Sequence, residues 1–380
     1  MPTPADRHPA HRHPAHRLAE HRQPEHGRPA FERADRRASG RARALRAALV
    51  PLVVVPVLAL AACAGDAPAS PGTPAASTPA ATASTNPPAA AFPLTVDNCG
   101  THVTLDAPPE RIVTIKSSTA EMVAALGAAD RLVGTAFSDG PPPQELAAAL
   151  ADVPVISEKV PGQEALLAVE PDFVYGGWES NFSADGVGER DALAGYGIAT
   201  YVSPSACKEP GYQPDPLTFD DVFSEIREAG AVLGEPAAAE QVVAQQQKTL
   251  DGVEPLAGQS VVWWSSGTDT PFVGAGIGAP QMLLSAAGLT NVFAGVHDTW
   301  TSVGWEEVVA ANPDLLVLVD SVWNTAENKK AALAANPATA ALDAVKNERY
   351  VVVPFAATEA GVRNADTVAD LVAQVTALGG

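Results

Sequence analysis

Residues 107–134 read APPERIVTIKSSTAEMVAALGAADRLVG, and their pattern decides the fold class. Arg111–Lys116 is a short apolar run typical of a buried strand, Thr119–Leu126 has the apolar spacing of a helix, and Leu132–Phe137 is a second apolar run. A strand, a helix and a strand in quick succession bring the two strands side by side and parallel. The stretch therefore predicts an α/β protein.

The same alternation continues along the chain and is interrupted once, in the middle. There, two helices are predicted in succession, Phe219–Leu233 and Pro236–Leu256, and the second begins with proline in its first turn. A helix between two α/β halves predicts two lobes joined by one stiff strut. The other predicted strands are Phe173–Gly177, Ala199–Ser203, Ser260–Ser266, Leu315–Asp320 and Tyr350–Phe355. The other predicted helices are Glu164–Val169, Arg190–Tyr196, Gln281–Ala287, Glu306–Ala311 and Thr339–Lys346.

The first 62 residues have the pattern of an export signal. A basic head precedes the apolar run 47–62, which is shorter than the roughly 20 residues needed to span a bilayer. The run ends in Leu60-Ala-Ala-Cys63, which resembles a bacterial lipobox, so we expect a diacylated Cys63 to hold the protein on the outer face of the cell membrane. An ordinary signal followed by an unrelated cysteine is the alternative. Residues 63–92 are almost wholly Ala, Pro, Ser, Thr and Gly, a composition typical of a flexible tether.

Charge is distributed unevenly along the chain. The formal net charge is -20, but residues 1–62 contain 11 basic and 5 acidic residues, and the remainder contains 13 basic and 39 acidic ones. A body with a net charge of -26 is poorly suited to bind nucleic acid or anionic lipid, so we expect no nucleic-acid partner. The 46% hydrophobic content excludes wholesale disorder.

Two cysteines and two histidines remain beyond Cys63. Cys99 and Cys207 form an even pair in an oxidising compartment, which favours a disulfide, and two separate thiols are the alternative. In the chain-entropy model such a bridge stabilises by up to about 4–5 kcal/mol. His102 and His297 stand apart from each other, so we expect no metal site.

Several aromatic and polar residues follow predicted strands. Ligands of open α/β sheets bind beyond the carboxyl ends of the strands, where tryptophan faces can stack on a flat ligand, although a tryptophan is as often a packing residue. Two serines at a helix start can offer backbone donors to an anion, and a lysine and an arginine are scarce cations in this acidic chain. The candidate ligand-binding residues are Lys116, Ser117, Ser118, Trp178, Glu179, Trp263, Trp264, Trp300, Trp323 and Arg363.

Several ordered motifs resemble a known family. The stretches 107–134, Glu164–Val174 and Trp305–Leu316 are similar to the cobalamin/iron-siderophore family of ABC-transporter solute-binding proteins. The resemblance covers about residues 94–380. It implies two Rossmann-like α/β lobes, 93–234 and 257–380, connected by one long α-helix at 235–256, with the ligand cleft between the lobes. It also implies a monomeric binding protein, with no enzymatic activity and no cofactor, that serves an ABC permease and its ATPase.

The same resemblance assigns a role to two carboxylates. In the family, one surface glutamate on each lobe docks onto arginines of the permease, and the matching positions are Glu164 and Glu306. Exposed acid–base pairs of this kind contribute little energy each but set orientation. Ordinary solvated glutamates are the alternative.

A narrower resemblance concerns the ligand. The stretches Thr95–Gly100, Ala206–Asp215, Gly274–Gln281 and Glu359–Asn364 are similar to a subgroup of carriers for the glutamate-free precursor of the 5-deazaflavin coenzyme. That ligand has a flat aromatic ring, a phosphodiester and a carboxylate. A ferric siderophore and cobalamin are competing ligands. From other classes, an exported hydrolase lacks an organised nucleophile and base, and a cell-wall adhesion module lacks repeats.

Overall fold

The computed structural model describes residues 91–379. The predicted export signal, Cys63 and the tether up to residue 90 lie outside the described residues. None of the helices within 91–379 combines the length and the apolar character needed to cross a bilayer.

The amino-terminal lobe is built on a parallel sheet. Its strands are β1 (Leu94–Asn98), β2 (Thr101–Leu105), β3 (Ile112–Ile115), β4 (Leu132–Ala136), β5 (Val155–Ser157), β6 (Phe173–Gly176) and β7 (Ala199–Val202). Strands β3 to β7 form one five-stranded sheet in the order β5-β4-β3-β6-β7, and every pair is parallel. Central strands β3 and β6 are buried throughout, as a parallel sheet covered on both faces requires. Strands β1 and β2 form a separate antiparallel hairpin.

Five helices complete this lobe, and the last of them has clear end signals. The helices are α1 (Ser117–Ala125), α2 (Gln144–Leu150), α3 (Gln163–Leu167), α4 (Arg190–Gly195) and α5 (Phe219–Leu233). Helix α5 begins with a capping box between Thr218 and Asp221 and ends at Gly234, whose φ of 77° is left-handed and favours glycine.

Helix α6 (Pro236–Asp251) connects the lobes. Glu235, directly before it, pairs with Arg131 of the amino-terminal lobe at 2.9 Å. Gln246, near its other end, bonds the backbone of Gly361 and Ala365 at 3.5 and 3.3 Å. The helix thus has one end on each lobe, although it ends at Asp251 and the predicted segment 235–256 continues as coil.

The carboxy-terminal lobe has a mixed six-stranded sheet. Its strands are β8 (Ser260–Ser266), β9 (Phe272–Gly274), β10 (Thr290–Asn291), β11 (Trp300–Ser302), β12 (Leu315–Asp320) and β13 (Tyr350–Pro354). The order is β11-β9-β8-β12-β13, with β10 on β8, and only β9 runs against the others. The helices are α7 (Ala279–Ala286), α8 (Trp305–Ala311), α9 (Ala326–Ala335), α10 (Asp343–Lys346) and α11 (Asn364–Ala377).

The structure confirms the predicted fold class and most of its elements. All seven predicted strands are present, with ends within one residue of their predicted positions, and α5 has its predicted bounds. The sequence does not predict the β1–β2 hairpin, β5 or β9 to β11, because strands of two to five residues carry little periodic signal. It also does not predict helices α2, α9 and α11, although Val368, Leu371 and Val375 of α11 have helical spacing.

Candidate functional site

Two sets of strand ends face each other across a cleft between the lobes. Residues 177–180, 203, 205 and 206 follow β6 and β7 on one side, and residues 265–266, 323, 355 and 358–360 end or follow β8, β12 and β13 on the other. They bound a cavity of about 400 Å³, a volume suited to a small organic ligand. Its other wall residues are Ser118, Lys208, Pro214, Leu217, Phe272, Ile277, Gly278, Ala279, Thr299 and Trp300.

The Glu359 carboxylate joins the two lobes at the cavity wall. Ser118 Oγ donates a hydrogen bond to its Oε2, and Trp178 Nε1–H donates to its Oε1, both at 2.6 Å. Both donors belong to the amino-terminal lobe, whereas Glu359 follows β13. Burial raises the pKa of Glu359, and the charge of Lys116 and the two hydrogen bonds oppose that rise. Each oxygen retains a lone pair that can accept a hydrogen bond from a ligand.

A buried lysine lies next to this bridge. The Lys116 ammonium pairs with Asp139 and is surrounded by three aromatic rings, which together compensate for its desolvation. A Cβ at position 177 would lie 2.9 Å from the Lys116 side chain, so only glycine fits at this position without a shift of its neighbours. The rings are those of Phe137, Trp178 and Phe355, with centroids 4.5, 4.1 and 4.3 Å from Nζ.

Aromatic rings from both lobes line the cavity. Phe355 is in edge contact with Trp178 and Trp323, at centroid distances of 6.3 and 5.4 Å. Phe272 and Trp300 stack at 5.9 Å with an interplanar angle of 18°. Trp323 is 47% exposed, so its ring face is available to a ligand. Such walls favour a flat, conjugated ligand.

A buried lysine stabilises the turn that carries Trp323. Lys329 Nζ, on α9, donates to the backbone oxygens of Val319 and Asn324 at 2.7 and 2.8 Å. Desolvation lowers the pKa of Lys329 to about 8, and the nearby Asp320 charge opposes this. These hydrogen bonds therefore fix the turn from which the Trp323 ring projects.

The polar part of the cavity wall is rich in hydroxyl groups and poor in positive charge. Lys208 is the only cationic side chain among the described residues that line the cavity. Glu179 also lines it and accepts a hydrogen bond from the Lys208 backbone N–H at 2.5 Å. Hydroxyl groups can bind the oxygen atoms of a ligand without fixing a charge. The hydroxyl groups belong to six serines and two threonines: Ser118, Ser180, Ser203, Ser205, Ser265, Ser266, Thr299 and Thr358.

Half of the candidate ligand residues from the sequence lie on the cavity wall. Ser118, Trp178, Glu179, Trp300 and Trp323 meet there from four separate segments of the chain. Their contacts with a ligand stay a prediction. Their convergence follows from the parallel strands, whose carboxyl ends lie at one edge of each sheet.

The prediction from the sequence that Trp263 and Trp264 line the cleft is wrong. Both side chains are buried in the lobe, Trp263 at 0% and Trp264 at 2% exposure. Trp264 packs edge-on against Trp305, with ring centroids 4.9 Å apart. The two residues are adjacent within β8, so their side chains point to opposite faces of a sheet that is covered on both sides.

The two cations expected to bind an anionic ligand are also placed differently. Lys116 is enclosed and paired with Asp139, and Arg363 pairs with Glu121 across the lobes while lining a second cavity behind the cleft. Ser117 is buried as well, and its hydroxyl contacts Ser138 and the backbone of Asp139. Acidic partners distant in sequence neutralise both cations, so neither is free to bind a ligand.

Glu359, Phe272 and Phe355 were not among the candidates from the sequence. Phe355 directly follows the last strand and Glu359 comes four residues later, in the stretch Glu359–Asn364 that carries the narrower resemblance. The strand-end rule could therefore have found both. Phe272 lies in a three-residue strand that no pattern marks.

Glu164 and Glu306 are exposed residues of short helices, α3 and α8. Each helix follows the carboxyl end of a strand, β5 or β11, and β11 runs parallel to β8 because both are antiparallel to β9. The glutamates therefore lie at the same ends of the sheets as the cleft residues. Docking stays a prediction for both.

A disulfide and a buried acid lie behind the cleft wall after β7. Cys99 and Cys207 are bonded, with their Cα atoms 5.2 Å apart. Glu225 of α5 is buried and accepts a hydrogen bond from the backbone N–H of Ser205 at 3.3 Å. Burial raises the pKa of Glu225 to about 7, although Ser205 and Ser203 oppose the rise.

Comparison with known proteins gives consistent matches. The family model described as periplasmic binding protein matches residues 112–357. The uncharacterized ABC transporter substrate-binding lipoprotein YvrC of Bacillus subtilis is 26% identical over 300 residues, covering 74% of this chain and 84% of that protein. The vitamin B12-binding protein of Yersinia pestis is 26% identical over 215 residues, covering 55% and 69%.

A solved structure agrees with these relatives. The ABC-type Fe3+-hydroxamate transport system from Saccharomonospora viridis superposes with a TM-score of 0.65 at 30% sequence identity. The match covers 76% of this chain and 100% of that one. The similarity therefore extends over both lobes.

We expect Glu225→Gln to remove a pH-dependent loss of stability. The pKa of the Glu225 carboxyl is about 7 in the folded chain and 4.5 in the unfolded chain, so the folded state binds the carboxyl proton more tightly. The stabilisation that results from this difference is complete below pH 4.5 and is lost as the pH rises through about 7. Between pH 5 and pH 8.5 the wild type should lose about 2 to 3 kcal/mol relative to the variant, measured by urea unfolding. A difference that is the same at both pH values would contradict this.

Proposed function

Because the chain belongs to the periplasmic binding protein family, we propose that it is the extracytoplasmic solute-binding component of an ABC importer. It captures a small organic ligand between its lobes and delivers it to a permease, whose ATPase drives uptake. Relatives named as an ABC transporter substrate-binding lipoprotein and an Fe3+-hydroxamate transport system support this role. The chain is a binding protein and not an enzyme. The observation that carries the proposal is the aromatic cavity bridged by Glu359.

The cavity wall favours a ligand with a flat conjugated ring and an oxygen-rich, anionic tail. Trp178, Trp323 and Phe355 offer ring faces and edges from both lobes. The six serines offer hydroxyl groups to the tail, and Lys208 offers a positive charge. The glutamate-free precursor of the 5-deazaflavin coenzyme has these parts, and we propose it as the ligand.

Glu359 would accept hydrogen bonds from the polar edge of the ligand's ring. Its oxygens already accept bonds from Ser118 and Trp178, so their directions are fixed and their remaining lone pairs point to defined positions. A ring N–H or phenolic O–H donor suits such an acceptor, whereas a ligand carboxylate does not. The anionic tail would therefore lie away from Glu359, toward Lys208.

Two other ligands compete with the deazaflavin precursor. One relative is named as a vitamin B12-binding protein and a solved structure as an Fe3+-hydroxamate transporter. Cobalamin also contacts aromatic surfaces, but it is a much larger molecule than a cavity of about 400 Å³ encloses. A ferric siderophore that carries negative charge would meet Glu179, Glu359 and Lys208, as would the anionic tail of the deazaflavin precursor. Charge therefore does not separate these two ligands, whereas the aromatic walls favour the one with a flat conjugated ring.

We also propose that the protein is anchored by lipid at Cys63. The motif Leu60-Ala-Ala-Cys63 and the tether-like residues 63–92 support this, as does the relative named as a lipoprotein. We expect radiolabelled palmitate to be incorporated into the wild-type protein and not into its Cys63→Ala variant, because the lipid is bonded to the Cys63 Sγ. Label that persists in Cys63→Ala would contradict the anchor.

Calorimetric titration of the purified protein tests the ligand and its site together. We expect the deazaflavin precursor to bind more tightly than cobalamin or a ferric hydroxamate. Trp178→Phe removes the indole donor to Glu359 and narrows the stacking face, so affinity should fall about tenfold, or about 1.4 kcal/mol.

The matched control is Trp263→Phe, which changes an equally large side chain that is buried away from the cavity. The affinity of Trp263→Phe for the deazaflavin precursor should stay within about twofold of the wild-type affinity. Tighter binding of cobalamin or the ferric hydroxamate would contradict the ligand. An equal loss in Trp178→Phe and Trp263→Phe would contradict the site.

The docking glutamates are tested by charge reversal. In cells that depend on this importer, Glu164→Lys/Glu306→Lys should abolish ligand uptake, because both contacts with permease arginines become repulsive. Calorimetry should show unchanged ligand affinity, since both residues are exposed and outside the cavity wall. A control with the same charge change is Glu240→Lys/Glu327→Lys, whose surface ion pairs contribute little. Uptake at the wild-type rate by the first variant would contradict docking.

A further inference from the structure

One irregular segment forms part of the cavity wall with little packing of its own. Residues Cys207–Leu217, which we call the cleft strap, contain no helix or strand. Only Cys207 and Leu217, its two ends, are buried. Lys208, Pro214 and Leu217 line the cavity. What fixes the ends of the strap therefore determines the shape of this wall.

The carboxyl end of the strap reaches the other lobe. The backbone N–H of Leu217 donates to the backbone oxygen of Ile277 at 2.9 Å. Asp215 lies 3.1 Å from His297, and both side chains are more than half exposed. The strap thus crosses one side of the cleft from lobe to lobe.

The amino end of the strap is bonded covalently to a rigid part of the amino-terminal lobe. Cys99, in the turn between β1 and β2, forms the disulfide with Cys207. The neighbouring Asn98 fixes that turn to the sheet, because its side chain accepts from Val202 N–H and donates to Val202 O, both at 2.8 Å. Arg190 donates to the backbone and side-chain oxygens of Asn98 at 2.8 and 2.9 Å.

The other bonds between the strap and this lobe are few and lie at the surface. Tyr212 Oη donates to Asp97 at 2.7 Å, and the Lys208 N–H donates to Glu179 at 2.5 Å. Water competes for such exposed hydrogen bonds, so they add little restraint by themselves. The disulfide is the strong restraint, and it holds the residue directly before Lys208.

We propose that the Cys99–Cys207 disulfide is a positioning group of the ligand site, and that recognition of an anionic ligand depends on it. The disulfide does not line the cavity. It acts through Lys208, whose ammonium can face the tail of the ligand only while the strap is held against the wall. This inference rests on the proposed function, because it concerns the anionic part of that ligand.

Two probes separate positioning from general stability. The anionic probe is the deazaflavin precursor, and the neutral probe is the same chromophore without its phosphodiester and carboxylate. In Cys99→Ala/Cys207→Ala, affinity for the anionic probe should fall at least about tenfold and affinity for the neutral probe less than about threefold. Equal losses for both probes, or no loss for either, would overturn the proposal.

Lys208→Gln provides the matched comparison with the disulfide intact. It should reproduce the selective loss for the anionic probe, and adding it to Cys99→Ala/Cys207→Ala should cause little further loss, because both changes remove the same contact. Fully additive losses would mean that the disulfide and Lys208 act independently, which overturns the proposal.

Hydrogen exchange decides the matter without any ligand. The amides of Lys208, Tyr212 and Leu217, which donate hydrogen bonds, should exchange at least about tenfold faster in Cys99→Ala/Cys207→Ala, while amides of β3 and β6 keep their protection. Unchanged exchange in the strap overturns the proposal. If neither probe binds the wild type, the ligand assigned above is wrong, and the exchange result still decides whether the disulfide positions the strap.

Discussion

The hydrogen-bonded carboxylate of Glu359 is the constraint on which the cleft depends. It brings a residue that follows the last strand of one lobe into contact with Ser118 and Trp178 of the other. Together with the Arg363–Glu121 ion pair and the hydrogen bond from Val322 N–H to Asp139 O, that contact holds the two lobes at the cavity. Lys116 and Asp139 form a buried ion pair beside it, enclosed by three aromatic rings, which keeps Trp178 in the orientation that the bridge requires. The connecting helix α6 also contacts both lobes, through the Glu235–Arg131 ion pair before its first residue and the hydrogen bond between Gln246 and Ala365.

The electrostatics of the cleft differ from those of the chain as a whole. Beyond residue 62 the sequence contains 39 acidic and 13 basic residues, and the structure pairs two of the cations, Lys116 and Arg363, with Asp139 and Glu121. Lys208 is left as the positive charge on the described cavity wall, next to hydroxyl groups and aromatic rings. If the ligand is anionic, as we propose, its recognition depends on how this one lysine is held, and the strap and its disulfide then contribute to it.

The sequence predicts the fold far better than it predicts the site. Apolar runs such as Leu315–Asp320 and amphipathic helices such as Phe219–Leu233 are local signals, and both have their predicted bounds. Which side chains face the cleft is not local. Trp263 and Trp264 lie in the middle of the predicted strand Ser260–Ser266, and they are buried because both faces of β8 are covered. Arg363 is neutralised by Glu121, which lies 242 positions earlier, and no pattern in the sequence links the two.

A crystal structure of the protein with the deazaflavin precursor bound tests the proposed ligand site most directly. We predict that the ring lies in the cleft, against Trp178 and Phe355, with a hydrogen-bond donor on Glu359 and the anionic tail toward Lys208. A ligand in the second cavity, which is lined by α6 and α11, would contradict it. So would a ligand in the cleft whose carboxylate, rather than a donor, faces Glu359.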